Sequence, residues 1–385
     1  MREPREIEVV TEDGRMAGFL VVEGSDRELS FGGMRVDPAV TRELVAELAE
    51  NMSLKLAGHG SPVGGAKAGI RASPDDPRLK DFLGHFARGC GEVLGSTTVL
   101  GKDMGAKPWM LEEIYACLGM PQLEIARRRS SNGRCPERIG ELDGYIPHMT
   151  GQGVFWAIDQ ALGAEVRGAR VLIQGFGVVG AGVAWHLSRA GARIAGVSDR
   201  EKAVVGPELP GLEELMAAKT DDGIVLADRL PPGPGSRPWQ VVERDALLSQ
   251  EAEVLVLAAS SHLVDASLAS GIRARVVVEG ANMALRPEAR AVLLERGVRV
   301  VPDVVANSAS AALVGHQMAA ANGLEPGPLW AAIEANIRRN TDEVHRASRE
   351  QGTDPKEAFR RLAAAGRVAG RSERPEAALA RSEAG

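Results

Sequence analysis

Three short stretches concentrate residues that can do chemistry. The first reads Gly32-Gly33-Met34-Arg35. The second runs from Lys55 through His59 and Gly64-Gly65-Ala66-Lys67-Ala68-Gly69, and the third is Gly101-Lys102-Asp103-Met104-Gly105. Glycines flanking a lysine let the backbone fold closely over a ligand and desolvate the amine. A desolvated lysine has a lowered pKa and exchanges protons near neutral pH. Asp103 supplies the complementary acid–base group. Each residue also has a plainer reading. Lys55 lies near a helix end, where a lysine offsets the helix dipole. Asp103 suits a turn or an N-cap, and His59 suits a structural or pocket-lining place.

A fourth stretch is Gly175-Phe176-Gly177-Val178-Val179-Gly180, directly after the apolar run Val171–Gln174. Gly175 permits a tight turn out of a strand. Gly177 lets the backbone approach a pyrophosphate, and Gly180 lets the following helix pack on the sheet. The helix N-terminus offers free N–H groups to the phosphates. A second strand ends in Asp199, where an acid accepts ribose hydroxyls, so a nicotinamide dinucleotide is the expected cofactor. A carboxylate there repels a 2′-phosphate, which favours NAD. Arg200 is adjacent and can pair with that phosphate, so NADP stays open.

The elements that must carry these residues follow from periodicity. Ile7–Val10 and Gly18–Val22 read as strands around a turn. Asp37-Pro38 then caps a helix bearing Val40, Leu44, Val45, Leu48 and Met52 at helical spacing. Helices are expected over Pro77–Leu94 and Met110–Leu118, an irregular segment over Pro121–His148, and a helix capped by Thr150. Beyond it, strands Val171–Gln174, Arg193–Ser198, Glu253–Leu257, Arg275–Glu279 and Val298–Val301 alternate with helices, the pattern of a parallel sheet with crossovers. The expected fold is α/β in two domains. Residues 1–149, with C-terminal helices over about 315–370, form one α/β domain, which the family resemblance given below makes the substrate and oligomerisation domain. Residues 150–314 form a Rossmann-type, doubly wound dinucleotide domain, and 371–385 fray.

Composition narrows the function. The 385 residues, 44% hydrophobic, suffice for two cores without a metal or disulfide staple. A net charge of −6 argues against a nucleic-acid partner, with Arg127-Arg128-Arg129 read as a solvated run. The three cysteines, Cys90, Cys117 and Cys135, show no pairing or metal-ligand spacing. No apolar stretch suits a membrane span or signal, so a reducing cytoplasm is the expected location.

At the lysine stretches the sequence resembles the glutamate/leucine/phenylalanine/valine dehydrogenase family. The resemblance continues through Thr150-Gly151-Gln152-Gly153, the glycine turn, Glu279-Gly280-Ala281-Asn282, Pro302-Asp303 and Asn307. It implies reversible oxidative deamination of an L-amino acid to a 2-oxo acid and ammonia with NAD or NADP, in a homo-oligomer. It implies that Lys55 holds the substrate α-carboxylate at the Gly33 motif and that Lys67 is the catalytic lysine. By the same resemblance Asp103 carries protons, Thr150 and Asn282 lie near the nicotinamide and its ribose, and Asn307 lines the substrate side. Glutamate-specific members carry a lysine directly before the Gly-Gly pair and a serine seven residues after this asparagine. Here those positions are Phe31 and Val314, so an apolar substrate side chain is expected. Two segments depart from the family pattern: Met283-Ala284-Leu285-Arg286, and Ser308-Ala309-Ser310. The alternatives are glutamate itself, with His59 or an arginine replacing the missing lysine, and a catalytically weak homologue that regulates a partner subunit. Retention of Lys55, Lys67 and Asp103 speaks against the latter.

Overall fold

The computed structural model describes residues 3–23, 28–120, 146–220, 224–225, 227–234, 238–319 and 326–368. The expectations for residues 121–145, including Arg127–Arg129 and Cys135, and for the tail 371–385 lie outside the described residues. The chain divides into two compact units. One holds the chain up to residue 142 with Ala311–Trp330, and the other holds Asp143–Ser310 with Ala331–Glu373.

The first unit is built on a mixed five-stranded sheet. Its strands are β1 (Arg5–Val10), β2 (Ala17–Val22), β3 (Ser30–Val36), β4 (Gly64–Arg71) and β5 (Thr98–Lys102), in the order β1-β2-β4-β3-β5. Side chains alternate across such a sheet. Leu20, Met34, Val36, Ala66, Ala68, Ile70 and Leu100 face one core, against the helices Leu79–Gly89 and Pro108–Cys117. Phe19 and Val21 face the other side, against Val45 and Ala49 of the helix Arg42–Ala57.

Three of these strands, β3, β4 and β5, were not expected, the first two because glycine is depleted in strands. The glycines here answer to close backbone approach instead. A Cβ on Gly65 would stand 2.3 Å from the Ser53 amide, and one on Gly69 would stand 2.4 Å from Val45 Cγ2. A Cβ on Gly32 would stand 1.6 Å from the Ala66 carbonyl oxygen. The helix Arg42–Ala57 therefore lies directly on β4. Its cap is Thr41, whose hydroxyl accepts from the Leu44 amide at 3.2 Å, rather than Asp37. Asp37 instead closes a turn by accepting from the Ala39 amide at 2.7 Å.

The second unit carries β6 (Arg170–Gln174), β7 (Arg193–Ser198), β8 (Lys202–Val205), β9 (Gln240–Glu243), β10 (Glu251–Leu257), β11 (Arg273–Glu279) and β12 (Arg299–Val301). Their order is β12-β11-β10-β6-β7-β8-β9. The run β7-β6-β10-β11-β12 is parallel throughout, the doubly wound arrangement expected from the alternating pattern. The antiparallel extension β8–β9 was not expected; its strands are four residues each, too short to show an alternation. The order reverses between β6 and β10, which fixes the crevice where a ligand meets such a sheet.

The helix expected to start at Thr150 begins earlier, at Ile146, so Thr150 lies within it. The C-terminal helices also group differently from the expectation that attached 315–370 to the first domain. Residues Ala331–Glu373 cluster with the second unit. Ion pairs there explain the grouping: Arg338 to Asp159 at 2.7 Å, Arg299 to Asp342 at 3.0 Å, and Arg290 to Asp354 at 2.6 Å.

Candidate active site

Lys67 sits in the middle of β4, opposite Val21 of β2. Its neighbours in sequence, Ala66 and Ala68, enter the core, so the lysine points to the other face. Asp103 follows β5, and its amide donates to the Met34 carbonyl at 3.1 Å. Lys67 Nζ lies 2.7 Å from Asp103 Oδ2. Arg35 Nε approaches the same oxygen at 3.2 Å. All three groups are buried or nearly so. Gly33 completes the cluster by lacking a side chain. A Cβ there would be 2.9 Å from Asp103 Cβ and 3.3 Å from Lys67 Nζ, so glycine leaves room beside the pair.

The electrostatics make the lysine the adjustable member. Burial pushes the Lys67 ammonium below its ordinary value, Asp103 pulls it back only partly, and Arg35 pushes it further down. Burial acts on Asp103 in the opposite sense, but the charges of Lys67 and Arg35 outweigh it and hold the carboxyl well below the usual range. Asp103 therefore rests as an anion between two cations. Arg35 belongs to this cluster and was missed by sequence reasoning. The signal was its offset of two from Gly33, which puts both on one face only once β3 is known to be a strand.

Phe31, Gly33 and Arg35 alternate along β3, so Phe31 shares the face of the reactive cluster. It pairs in register with Gly65 and Val99. Phe31 and Val314 join one apolar cluster with Met52, Leu56, Val63, Val99 and Met318. Lys55 is buried in the last turn of the helix Arg42–Ala57, one residue from Leu56. His59, in the same stretch, receives His316 at its carbonyl oxygen, 3.0 Å away, which gives it a structural part.

The second unit brings together another set. Gly175 has φ +88, and a Cβ there would stand 2.7 Å from the Ala258 carbonyl oxygen at the end of β10. A Cβ on Gly180 would stand 2.0 Å from the Gly175 carbonyl oxygen. These two glycines are demanded by the chain itself. Gly177 is not: a Cβ there would meet nothing within 4 Å. The open space over Gly177 is where a pyrophosphate can approach the backbone, so the turn fits the expected dinucleotide. Phe176 is buried behind it, while Val178 is 65% exposed at the start of the helix that also carries Val179. A polar concavity of about 900 Å³ opens at the opposite ends of these strands, beside Arg170, Glu251 and Arg273. That is the wrong end of a doubly wound sheet for a nucleotide.

Asn282 and Asn307 meet: Asn307 Nδ2 donates to Asn282 Oδ1 at 3.3 Å and to the Gly280 carbonyl at 3.0 Å. The departures from the family pattern have structural answers. The Met283 amide donates to Asp303 Oδ2 at 2.8 Å, and Met283 takes the left-handed conformation, φ 52. Its carbonyl accepts from His262, φ 58, at 2.7 Å. A non-glycine residue in that region costs about 1 kcal/mol or more, so both loops are held against strain. Glu279 helps hold them, accepting from the Leu285 amide at 2.9 Å. Burial and the nearby Asp303 charge push its carboxyl up to about 7 although Arg290 opposes them. Ser308 donates to the Val305 carbonyl at 2.8 Å, and Ser310 pairs with Thr150, hydroxyl to hydroxyl, at 3.1 Å.

Comparison with known proteins agrees with this arrangement. Residues 5–116 match the description "Glu/Leu/Phe/Val dehydrogenase, dimerisation domain", and residues 145–373 match "Glutamate/Leucine/Phenylalanine/Valine dehydrogenase". The chain is 31% identical over 290 residues to glutamate dehydrogenase A2 of Halobacterium salinarum, covering 72% of this chain and 66% of that one. It thus spans about two thirds of that relative's length. It is 30% identical over 328 residues to a glutamate dehydrogenase of Thermotoga maritima, covering 80% of this chain and 75% of the relative. Among solved structures it resembles the hetero-hexameric glutamate dehydrogenase of Thermus thermophilus in a Leu-bound form, with 28% identity and a TM-score of 0.69 over 98% of this chain and 89% of that one. It shares its fold with the L-tryptophan dehydrogenase of Nostoc punctiforme, at 18% identity and a TM-score of 0.62 over 94% and 95% of the two chains. No helix among the described residues is long and apolar enough to cross a membrane. With both units matched, and the motif residues gathered as above, the chain belongs to the glutamate/leucine/phenylalanine/valine dehydrogenase family.

Proposed function

We propose that this protein oxidatively deaminates an L-amino acid with an apolar side chain. An amino acid, water and NAD(P)+ give the 2-oxo acid, ammonium, NAD(P)H and a proton, reversibly. The observation that carries the reading is the buried Lys67–Asp103–Arg35 cluster beside Gly33, on the sheet face it shares with Phe31. A bound nicotinamide supplies the hydride acceptor. Lys55 takes the substrate α-carboxylate. Lys67, with its ammonium destabilised by burial, reaches the neutral form more easily than an ordinary lysine and accepts a proton from the water that adds to the iminium carbon. Asp103 stays ionised and steadies the lysine whenever that is protonated. Protons of the substrate nitrogen pass through it only transiently. Thr150 and Asn282 belong to the nicotinamide side, and Asn307, on the substrate side, fixes Asn282.

The apolar preference rests on Phe31 and Val314. Both join an apolar cluster, and the arginine of the same sheet face, Arg35, is already engaged by Asp103. A γ-carboxylate buried there without a partner costs several kcal/mol. The test is turnover with leucine, valine, phenylalanine, tryptophan and glutamate under both NAD and NADP. The expected result is kcat/KM for at least one apolar substrate well above that for glutamate. Equal or better use of glutamate removes the apolar assignment, and the names of the curated relatives then describe this chain as well. No turnover with any of them favours a regulatory homologue. The match to a dimerisation domain supports a homo-oligomer, and the three cysteines without pairing spacing suit the cytoplasm.

Arg35 gives this reading a pH signature. Its charge lowers both Lys67 and Asp103. The reactive lysine is neutral, so kcat/KM rises with pH through the Lys67 pKa. Arg35→Met removes a like charge from beside the lysine, and that pKa rises. The ascending limb is expected to move to higher pH, with Arg35→Lys restoring most of its place. A limb that stays put in Arg35→Met would take Arg35 out of the site.

A further inference from the structure

Asp199 directly follows β7, where a ribose-binding acid is expected, yet its carboxylate is occupied by the chain's own backbone. Oδ1 accepts from the amides of Glu201 at 2.7 Å and Lys202 at 2.9 Å. Oδ2 accepts from the Val225 amide at 2.8 Å. The residue is 8% exposed. A carboxylate offers about four acceptor positions, so one remains here, on Oδ2. Holding a ribose diol takes both oxygens at once. That would displace the Val225 amide, and a buried backbone donor is costly to leave unmade. Asp199 is built as a brace between the β7–β8 turn and the segment around Val225.

Arg200 is its opposite. Its side chain is 65% exposed, and its ion pair, with Glu201 at 3.8 Å, is also in solvent. An exposed pair of this kind is worth little. The other cation of the turn, Lys202, is paired with Glu243 at 2.5 Å. A phosphate monoester carries close to twice the charge of Glu201 and presents oxygens that fit a guanidinium bidentately. Arg200 is therefore placed to exchange a weak partner for a strong one.

We infer that Asp199 is not the ribose ligand of this protein, and that Arg200 makes the site select a dinucleotide phosphorylated on the adenosine ribose, NADP over NAD. The inference rests on the proposed NAD(P)-dependent function and on the nucleotide reading of the Gly175–Gly180 turn. Its test is calorimetric titration of the full chain with 2′,5′-ADP and with ADP, which needs no turnover. The phosphorylated ligand is expected to bind about tenfold tighter or more. Arg200→Gln should erase that difference and leave ADP affinity unchanged. Asp199→Asn should lower Tm and leave the ratio of the two affinities as it was. Equal or tighter binding of ADP overturns the inference, as does an unchanged ratio in Arg200→Gln or a selective loss of ADP in Asp199→Asn. If neither ligand binds, the nucleotide reading itself falls and this inference with it. That outcome is distinct from binding of both without preference.

Discussion

Replacing Lys67 with methionine is expected to lower kcat about a thousandfold while nucleotide affinity stays within about twofold. The two halves of this result come from different parts of the chain. Lys67 is on β4 of the first unit, where it meets Asp103 at 2.7 Å. The glycine turn proposed to accept the dinucleotide is made by residues of the second unit alone. Methionine keeps the length of the side chain and removes its proton chemistry. It also leaves Asp103 with Arg35 as a remaining cation, so the carboxylate is not stranded in the interior. Single-turnover kinetics with the preferred amino acid, beside a nucleotide titration, measure both quantities. Turnover within tenfold of the wild type would remove Lys67 from the mechanism. Loss of nucleotide binding as well would show that the substitution had damaged the fold.

Exchanging Phe31 for lysine is expected to change the ratio of kcat/KM for apolar substrate to that for glutamate by about a hundredfold or more. Phe31 lies two residues before Gly33 on the same strand face, and it belongs to the cluster containing Val314 and Met318. A lysine there meets apolar walls and is poorly solvated. A substrate γ-carboxylate relieves that, whereas an aliphatic side chain leaves the ammonium unpaired. The fall in apolar activity should therefore exceed the gain in glutamate activity, and Tm should drop in the free protein. Val314→Ser is the milder companion. It adds a hydroxyl without a charge, and a smaller shift of the same sign is expected. A substrate ratio that moves in neither variant would mean that the side chain of the substrate is recognised elsewhere.

The doubly wound unit was legible because its signals are local. The apolar runs at Val171–Gln174 and Arg275–Glu279, with Gly175, Gly177 and Gly180 between strand and helix, report on neighbours a few residues away. The first unit was legible mainly through its motif residues. Its strands β3 and β4 were hidden, since Gly32, Gly33, Gly64, Gly65 and Gly69 weaken the local preference for strand. For Gly65 and Gly69 the reason lies in a helix more than ten residues distant, whose Ser53 and Val45 occupy the space a Cβ would need; for Gly32 it is the Ala66 carbonyl, and for Gly33 it is Asp103. The helix cap passed from Asp37 to Thr41 for a related reason, because Asp37 was already engaged in a turn.

The sequence by itself pointed to the residues that carry the chemistry: Lys67, Asp103 and the glycine turn by residue type and their glycine settings, and Lys55 by the family resemblance. It also determined that Phe31 and Val314 are apolar, and so that no cation stands at the first of those positions. Only the tertiary structure decided how these groups are used. It placed Arg35 on the oxygen that Lys67 holds, which fixes Asp103 as an anion and leaves the lysine as the group that titrates. It turned the Asp199 carboxylate onto three backbone amides and left Arg200 in solvent. The physical reason is common to both. Charge and hydrogen-bonding capacity belong to the residue, but whether they are free for a ligand depends on partners brought close by folding, and those partners lie outside any local pattern.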